Sequence, residues 1–469
     1  MVTRASLYLA LLLSGILAAW SPGPHAQGEV RAQTAVDIHE RRLDNGFKVL
    51  VKVDRRAPVA VSMVWYRVGS LDETNGHTGI SHVLEHMMFK GTRALAPGEF
   101  SKTIARAGGR DNAFTAKDYT AYHQRLPKEQ LALAIRLEAD RMANLVFSES
   151  EFAREIRVVM EERRQRVEDN PEALLYEQLF ATALIVNPER RPIIGWMNDL
   201  ENMRVADVEA WYERWYTPNN ATLVVAGDVD PEQVFVLAEQ HFGKLPVRAL
   251  PVTKPSQEPE QRGTRRITVK APAELAHLAF AYRVPVLVDI DRDWEPYALS
   301  VLSEIFDGHD AARLPSALVR EGRVADQVGT SYDGVKRGAG LFLVSATPAA
   351  QRTPADVEQA WREQVRRLVE DGISDAEMKR VKAQVVASQI YQQDSVYGQA
   401  SRIGRFDALG LPLDAVDRFI RKIQAVTADQ VRDVARRYLV DDRMTVGVLD
   451  PQPLAGRRPA SSPGTDDDT

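Results

Sequence analysis

Between Ile80 and Met88 apolar positions recur at helical spacing. Placed on a helix at about 100° per residue, Ile80, Val83, Leu84, Met87 and Met88 form one stripe, and His82, Glu85, His86 and Phe89 form the opposite one. The spacing predicts a helix inside 78–92, buried along its apolar stripe and stopped by Gly91. Upstream the pattern predicts strands. Glu40 to Leu43 and Phe47 to Val53 flank Asp44-Asn45-Gly46, where Asn-Gly predicts a type I′ turn with φ > 0 at both central positions, and Ala60 to Val68 reads as a third strand. Downstream, Gly98 to Ala107 reads as a helix ending at Gly108-Gly109, Tyr119 to Leu126 is rich in strand formers, and Gln130 to Leu145 returns to helical period. Ser148-Glu149-Ser150-Glu151 has the form of a capping box, with Phe147 as its staple, and opens a helix to about Val167. Helices over Leu174 to Ala183, Val205 to Tyr216 and Pro231 to Phe242, and a buried strand over Ala221 to Ala226, complete this half.

Then the pattern breaks. Leu245 to Gly263 holds Pro246, Pro251, Pro255 and Pro259 and little periodicity, which marks a domain boundary. Beyond it the order of elements recurs: strands at Arg266 to Val269 and His277 to Val284, a helix at Trp294 to Phe306, strands within Ser331 to Ala346, and helices at Pro354 to Glu370 and Asp375 to Gln393. A helix at Thr427 to Tyr438 and a strand at Met444 to Leu449 match Val205 to Ala226 of the first half. The expected fold class is therefore α+β: two similar tandem domains, antiparallel sheets covered by helices, at 37–245 and 264–450, joined by a proline-rich linker at 246–263. Residues 451–469, rich in Pro, Ser and Asp, read as a disordered tail.

Composition narrows the function classes. With 44% apolar and 27% charged residues in 469, the chain reads as folded, and a net charge of −5 without a basic, aromatic-interleaved block gives nucleic-acid binding no support. Residues 1–26 read as a secretory signal: Arg4, an apolar run from Leu7 to Trp20, and Pro24-His25-Ala26 as the cleavage region, with an uncleaved anchor as the alternative. The run, about 14 residues, is short of the roughly 20 that span a bilayer, so the mature chain is expected to have no stable membrane span. Export without a single cysteine points to the bacterial periplasm, and it removes disulfides and thiolate metal ligands.

The polar stripe of the first helix carries the candidate chemistry. Side chains at i and i+4 lie about 5–6 Å apart at Cβ, close enough for His82 and His86 to hold one tetrahedral zinc, with Glu85 in reach of a water beside it. A third ligand is needed. On the helix opened by Ser148, Glu155 and Glu162 stand two turns, about 10.5 Å, apart on the border of an apolar stripe of Phe152, Ile156, Val159 and Met160, whereas Glu161 faces the arginines. Glu162 or Glu155 is thus the inward ligand. The competing reading is an ordinary charged helix with pairs such as Glu162 and Arg166.

The motif His82-x-x-Glu85-His86, followed after 75 residues by Glu162, resembles the pitrilysin and insulinase family of zinc metallopeptidases, in particular the short branch that includes the mitochondrial processing peptidase and bacterial relatives. Asn112-Ala113-Phe114-Thr115, Glu168-Asp169-Asn170-Pro171 and Tyr216-x-Pro218-Asn219-Asn220 leading into Gly227-Asp228 extend the likeness over about residues 38–450. The resemblance implies one Zn2+ per chain on His82, His86 and Glu162, Glu85 as general base, and Glu155 as the carboxylate supporting a ligand histidine. It also implies that Asn112, Ala113, Phe114 and Thr115 form an edge strand to which a peptide substrate adds as another strand.

The family's second domain supplies an Arg and, seven residues on, a Tyr that bind substrate. Arg320 matches the first, but the second position is Gln327, and Tyr332 does not fit the spacing. A sister subunit carrying the Arg/Tyr pair is therefore expected, giving a heterodimer of which this chain is the zinc-bearing half, or else a homodimer. The reading is an exported zinc endopeptidase of short or unfolded peptides. Its rivals are a non-catalytic scaffold subunit of the same fold, which has no need of Glu85, and a zinc hydrolase of a non-peptide amide.

Overall fold

The computed structural model describes residues 38–454 apart from 253, 255, 392 and 393. The export signal expected over 1–26, and the expected tail from 455 on, lie outside the described residues, while Pro451 and Gln452, which the sequence placed in the tail, continue the last strand, Met444–Gln452. The first half runs β1 (Ile38–Arg42), β2 (Lys48–Val53), β3 (Val59–Tyr66), α1 (Ile80–Met87), α2 (Glu99–Arg106), β4 (Arg110–Thr115), β5 (Thr120–Pro127), α3 (Leu131–Asn144), α4 (Glu149–Arg163), α5 (Pro171–Ala183), α6 (Met197–Asn202), α7 (Val205–Trp215), β6 (Ala221–Gly227) and α8 (Pro231–Phe242). The second runs β7 (Arg265–Pro272), β8 (His277–Val284), α9 (Glu295–Asp307), β9 (Ala325–Tyr332), β10 (Gly340–Pro348), α10 (Pro354–Asp371), α11 (Asp375–Tyr391), α12 (Val396–Ala408), α13 (Ala415–Ala425), α14 (Ala428–Tyr438) and β11 (Met444–Gln452).

Each half builds one sheet, with strand orders β1-β2-β6-β3-β5-β4 and β7-β11-β8-β10-β9. Strand for strand, β2, β6, β3, β5 and β4 correspond to β7, β11, β8, β10 and β9, so the recurrence of elements is a recurrence of topology. The sheets are not purely antiparallel: β2 pairs with β6, and β7 with β11, in parallel, because these strands are joined through the whole intervening half.

Both faces of each sheet are covered. Val49, Val64, Leu223 and Val225 turn toward α1, α3, α7 and α8, while Leu50, Met63, Trp65 and Val224 turn the other way, which is why these strands read as unbroken apolar runs. The covering helices are exchanged. α12, from the second half, lies on β3 and β6 of the first sheet, and α5, from the first half, lies on β7, β8 and β11 of the second through Leu175, Leu179 and Ala183. Asp407 on α12 locks one side of this exchange, accepting from Lys48 Nζ (2.6 Å), Arg67 Nη2 (3.1 Å) and Thr222 Oγ1 (2.7 Å).

Two local expectations are corrected. The β1–β2 connection spans Leu43 to Phe47, and among its residues only Gly46 is left-handed (φ +83), so it is not a type I′ turn. Asn45 instead donates its side-chain amide to the Phe242 and Leu245 carbonyls. α4 begins where Ser148 marks it, but no capping box forms, and the Ser148 hydroxyl bonds Ser150 Oγ (2.9 Å). The proline-rich stretch is tied to the body of the protein: Glu258 accepts from the amides of Ile185, Val186 and Asn187, and Gln261 donates to the Met444 carbonyl.

Candidate active site

α1 is two-faced as its sequence demands. Ile80, Val83, Leu84, Met87 and Met88 are at most 2% exposed, a burial that stabilises the helix by about 1.5–3 kcal/mol per large side chain. Phe89, on the histidine stripe, is half-buried and packs against Phe100, Tyr122 and the guanidinium of Arg141, itself paired with Glu138 in the interior. The start of α1 is fixed from below and behind. Glu73 accepts from the amides of Gly79 (2.8 Å) and Ser81 (2.9 Å), groups that a helix start leaves without internal partners. Asp199 accepts from the Thr78 amide and hydroxyl. Gly79 and Gly195, both at positive φ, meet back to back; a Cβ on Gly79 would lie 2.5 Å from the Ile194 carbonyl, so only glycine fits where the 190–195 segment docks on the helix start.

Against the polar stripe stands α4. Glu162 Oε2 lies 3.7 Å from His82 Nε2 and 3.5 Å from His86 Nε2, and the three side chains converge within 4.8 Å of one another. Ligand atoms on a tetrahedral zinc, with bonds of about 2.0–2.2 Å, sit roughly 3.4 Å apart, so Glu162 stands from each histidine at close to the separation that ion sets. Among the described residues this is the cluster with metal-ligand geometry. Glu161, 57% exposed, points to solvent. Glu155 is not a member of the trio; its Oε2 meets His86 Nδ1 at 3.2 Å and its Oε1 meets Lys90 Nζ at 2.6 Å. That contact directs His86 Nε2 toward the trio and fixes the tautomer. Of the two carboxylates that helical geometry left open, it is Glu162 that stands with both histidines.

Electrostatics agree with ligand chemistry. Burial, then the neighbouring His86 and Arg166, push the His82 imidazole down to about 3, so it stays neutral and free to donate a lone pair. Burial works against ionisation of Glu155, but its bonds to His86 and Lys90 outweigh that and hold it below the usual range. Glu85 goes the other way: burial raises it, only partly offset by the Thr115 hydroxyl that donates to its Oε2 at 2.5 Å.

These groups open on a cleft of about 740 Å3. Asn112 to Thr115 of β4, the outermost strand of the first sheet, form one side. Tyr176 and Phe180 of α5, Arg166, and the segment Arg190 to Ile194 form the other. Arg166 lies on a π-helical turn, Arg164–Glu168, that follows α4, and it binds Glu162 Oε1 at 2.8 Å. The i to i+4 pair foreseen for a plain surface helix thus exists, and it leaves Oε2 for the trio. Arg320 is elsewhere. It sits on a π-helical segment, Pro315–Glu321, donates to the Asp310 carbonyl and Ser316 hydroxyl, and is not among the residues lining the cleft; Gln327 lies on β9. The cleft wall of Tyr176, Phe180 and Arg190 to Ile194, and the supports Glu73 and Asp199, were not foreseen. No local motif marks them, since they meet the metal helix only through the fold.

The chain is similar to known proteins over most of its length. The family model "Insulinase (Peptidase family M16)" matches residues 48–196, and "Peptidase M16 inactive domain" matches 202–385. The zinc protease PqqE of Helicobacter pylori is 32% identical over 432 residues, 90% of this chain and 95% of that protein. The crystal structure of a protease from Helicobacter pylori superposes with a TM-score of 0.84 at 29% identity, covering 89% of this chain and 100% of that one. The periplasmic protease PqqL from Escherichia coli shares the fold, with a TM-score of 0.76 at 19% identity, over 88% of this chain but 48% of its own.

Proposed function

This chain belongs to the insulinase family, peptidase family M16, and from that premise we propose that it is an exported zinc metalloendopeptidase that hydrolyses short or unfolded peptides. The observation that carries the reading is the convergence of Glu162 Oε2 on both imidazole Nε2 atoms with Glu85 beside them at the cleft floor. A scaffold would have no use for that fourth group.

His82, His86 and Glu162 would hold the zinc, which when bound supplies Lewis acidity and lowers the pKa of a neighbouring water to about 7. Glu85 takes the proton from the attacking water at its carboxylate and passes it to the leaving amine nitrogen. Thr115 orients that carboxylate. A carboxyl raised by burial has a basicity closer to neutral pH, which suits a group that must both accept and donate. Glu155 and Lys90 hold His86 in place. β4 offers its free edge to the substrate backbone, so binding asks little of side chains at most positions.

The same reading makes this chain the catalytic half of a two-half molecule, with a sister subunit or a second copy supplying the other half. Arg320 lies away from the cleft of its own chain, the position seven residues on is Gln327, and the fold of this chain accounts for 48% of the PqqL chain. Export to the periplasm is supported by the apolar run at Leu7 to Trp20 and by the periplasmic location of PqqL. The test is cleavage of a mixed quenched-fluorescent peptide library by the purified chain, alone and with any co-purifying subunit. Cleavage that vanishes on chelation and returns with zinc supports the reading. Cleavage indifferent to chelation would refute it, and bound zinc without cleavage, with or without a partner, would favour the scaffold.

A further inference from the structure

We infer that the cleft selects peptides carrying carboxylate side chains close to the bond that is cut, an inference that rests on the peptidase reading above. Its walls hold Lys117, Arg166, Arg190 and Arg191 against Glu85, Glu162 and Glu177. Glu177 is already neutralised, since Arg163 binds both of its oxygens at 2.8 and 3.0 Å.

The cations, by contrast, mostly rest on neutral oxygens. Arg190 donates to the carbonyls of Ile185 (2.7 Å) and Ala181 (3.3 Å). Arg191 donates to Asn75 Oδ1 (3.0 Å) and to the Glu73 carbonyl. Lys117 donates to the carbonyls of Glu189 (2.9 Å) and Arg191. These bonds fix the side chains without cancelling their charge. Of the carboxylates near them, Glu189 pairs through Oε1 with Lys336 at 2.6 Å, and burial pushes the Glu73 carboxyl up to about 8 while its oxygens accept from the amides of the α1 start. Arg166 shares Glu162, whose other oxygen faces the two histidines.

The result is a concave surface with an excess of held, un-neutralised positive charge, interleaved with Tyr176, Phe180 and Ile193. Such walls focus the field into the cleft, and a substrate carboxylate is the counter-charge the site lacks. Backbone pairing along β4 would then set the register, and the cations would read which side chains flank the cut.

The test uses the full-length, zinc-loaded Glu85→Gln chain and one labelled peptide in three versions, with Glu, Gln or Lys at each position flanking the bond cut in the library screen. Fluorescence anisotropy measures binding, and wild-type kcat/KM on the same peptides is read in parallel. The Glu peptide is expected to bind at least about fivefold more tightly than its Gln counterpart, the upper end for an exposed ion pair, and the Lys peptide most weakly. The preference should collapse at about 1 M salt, where the Debye length is about 3 Å. Equal binding of the Glu and Gln peptides at every position, or tighter binding of Lys, would overturn the inference. The two failures are distinguishable. Cleavage of the library without acidic preference in binding or in kcat/KM sinks only this one, whereas a library left uncut sinks the peptidase reading and this one with it.

Discussion

The two halves of this protein pose the same problem and solve it differently. In the first sheet α1 faces the edge strand β4 across a cleft of about 740 Å3; in the second, α9 faces the edge strand β9 across a cavity of about 720 Å3. The helix positions turned into each space have the same spacing. They are His82, Glu85 and His86 in one and Ser300, Ser303 and Glu304 in the other. Where α4 brings Glu162, α11 brings Gln389, which is taken up by Arg402. Even the contact between helix and edge strand persists: Thr115 bonds Glu85 in the first half, and Thr330 bonds Ser303 at 3.0 Å in the second. The polar contact recurs, but among the described residues it is the first half that brings three metal-ligating side chains together.

The largest expected effect comes from exchanging chemistry at equivalent positions. Glu85→Gln should retain zinc and lose at least about a hundredfold in kcat, the scale of a lost general base, while Ser303→Ala should leave kcat within about twofold. Comparable losses from both substitutions would break the comparison. Next comes the support of the ligands. Glu155→Gln weakens the hold on His86, and zinc affinity, measured by competition with a chromogenic chelator, should fall about 10- to 100-fold. Zinc affinity unchanged within error would remove Glu155 from the site.

A smaller effect separates the two exchanged helices. Gly404 of α12 lies against Trp65, and an added Cβ would stand 2.1 Å from its indole nitrogen; at Gly447 of β11 the nearest atom is a terminal methyl of Leu175, at 2.8 Å. Gly404→Ala should cost about 1–3 kcal/mol by overpacking, and Gly447→Ala less, because a leucine end can turn aside. Denaturant unfolding of both variants checks the order. The smallest effect is the pH dependence of the lock between halves. Burial alone would raise the Asp407 carboxyl, but Lys48, Thr222 and Arg67 outweigh it and hold it below its ordinary 3.8. A depressed carboxylate contributes stability that is present above its unfolded pKa and lost as pH falls through the folded one, here below about pH 4. The gap in Tm between wild type and Asp407→Asn should therefore narrow from pH 6 to pH 3 by about 1 °C, the equivalent of roughly 1 kcal/mol in a chain of this size. A gap that widens toward acid would contradict the assignment.

What could be read from the sequence follows the physics of each feature. α1 and its two stripes were legible because burial and chemistry there obey one local period. The preference for Glu162 and Glu155 over Glu161 was legible for the same reason, but helical geometry could not say which of the two joins the histidines; only the position of α4 against α1 does. α12 was not legible. Gly398 and Gly404 make its sequence look like a loop, and Gly404 is glycine because Trp65 packs on the helix backbone there. The exchange of α5 and α12 between sheets leaves no periodic trace, since an apolar helix face does not record which sheet it covers. Asn45-Gly46 misled because the Asn side chain serves the carbonyls at the end of α8 and not its own turn.

The most direct test of the central claim, that the chemistry resides on α1 and α4 of the first half alone, is zinc content by native mass spectrometry. It is read beside peptide cleavage for wild type, Glu85→Gln and Glu162→Ala. One zinc per chain in the first two, none in the third, and cleavage by wild type only is the expected result. Zinc retained in Glu162→Ala, or cleavage surviving its loss, would contradict the account.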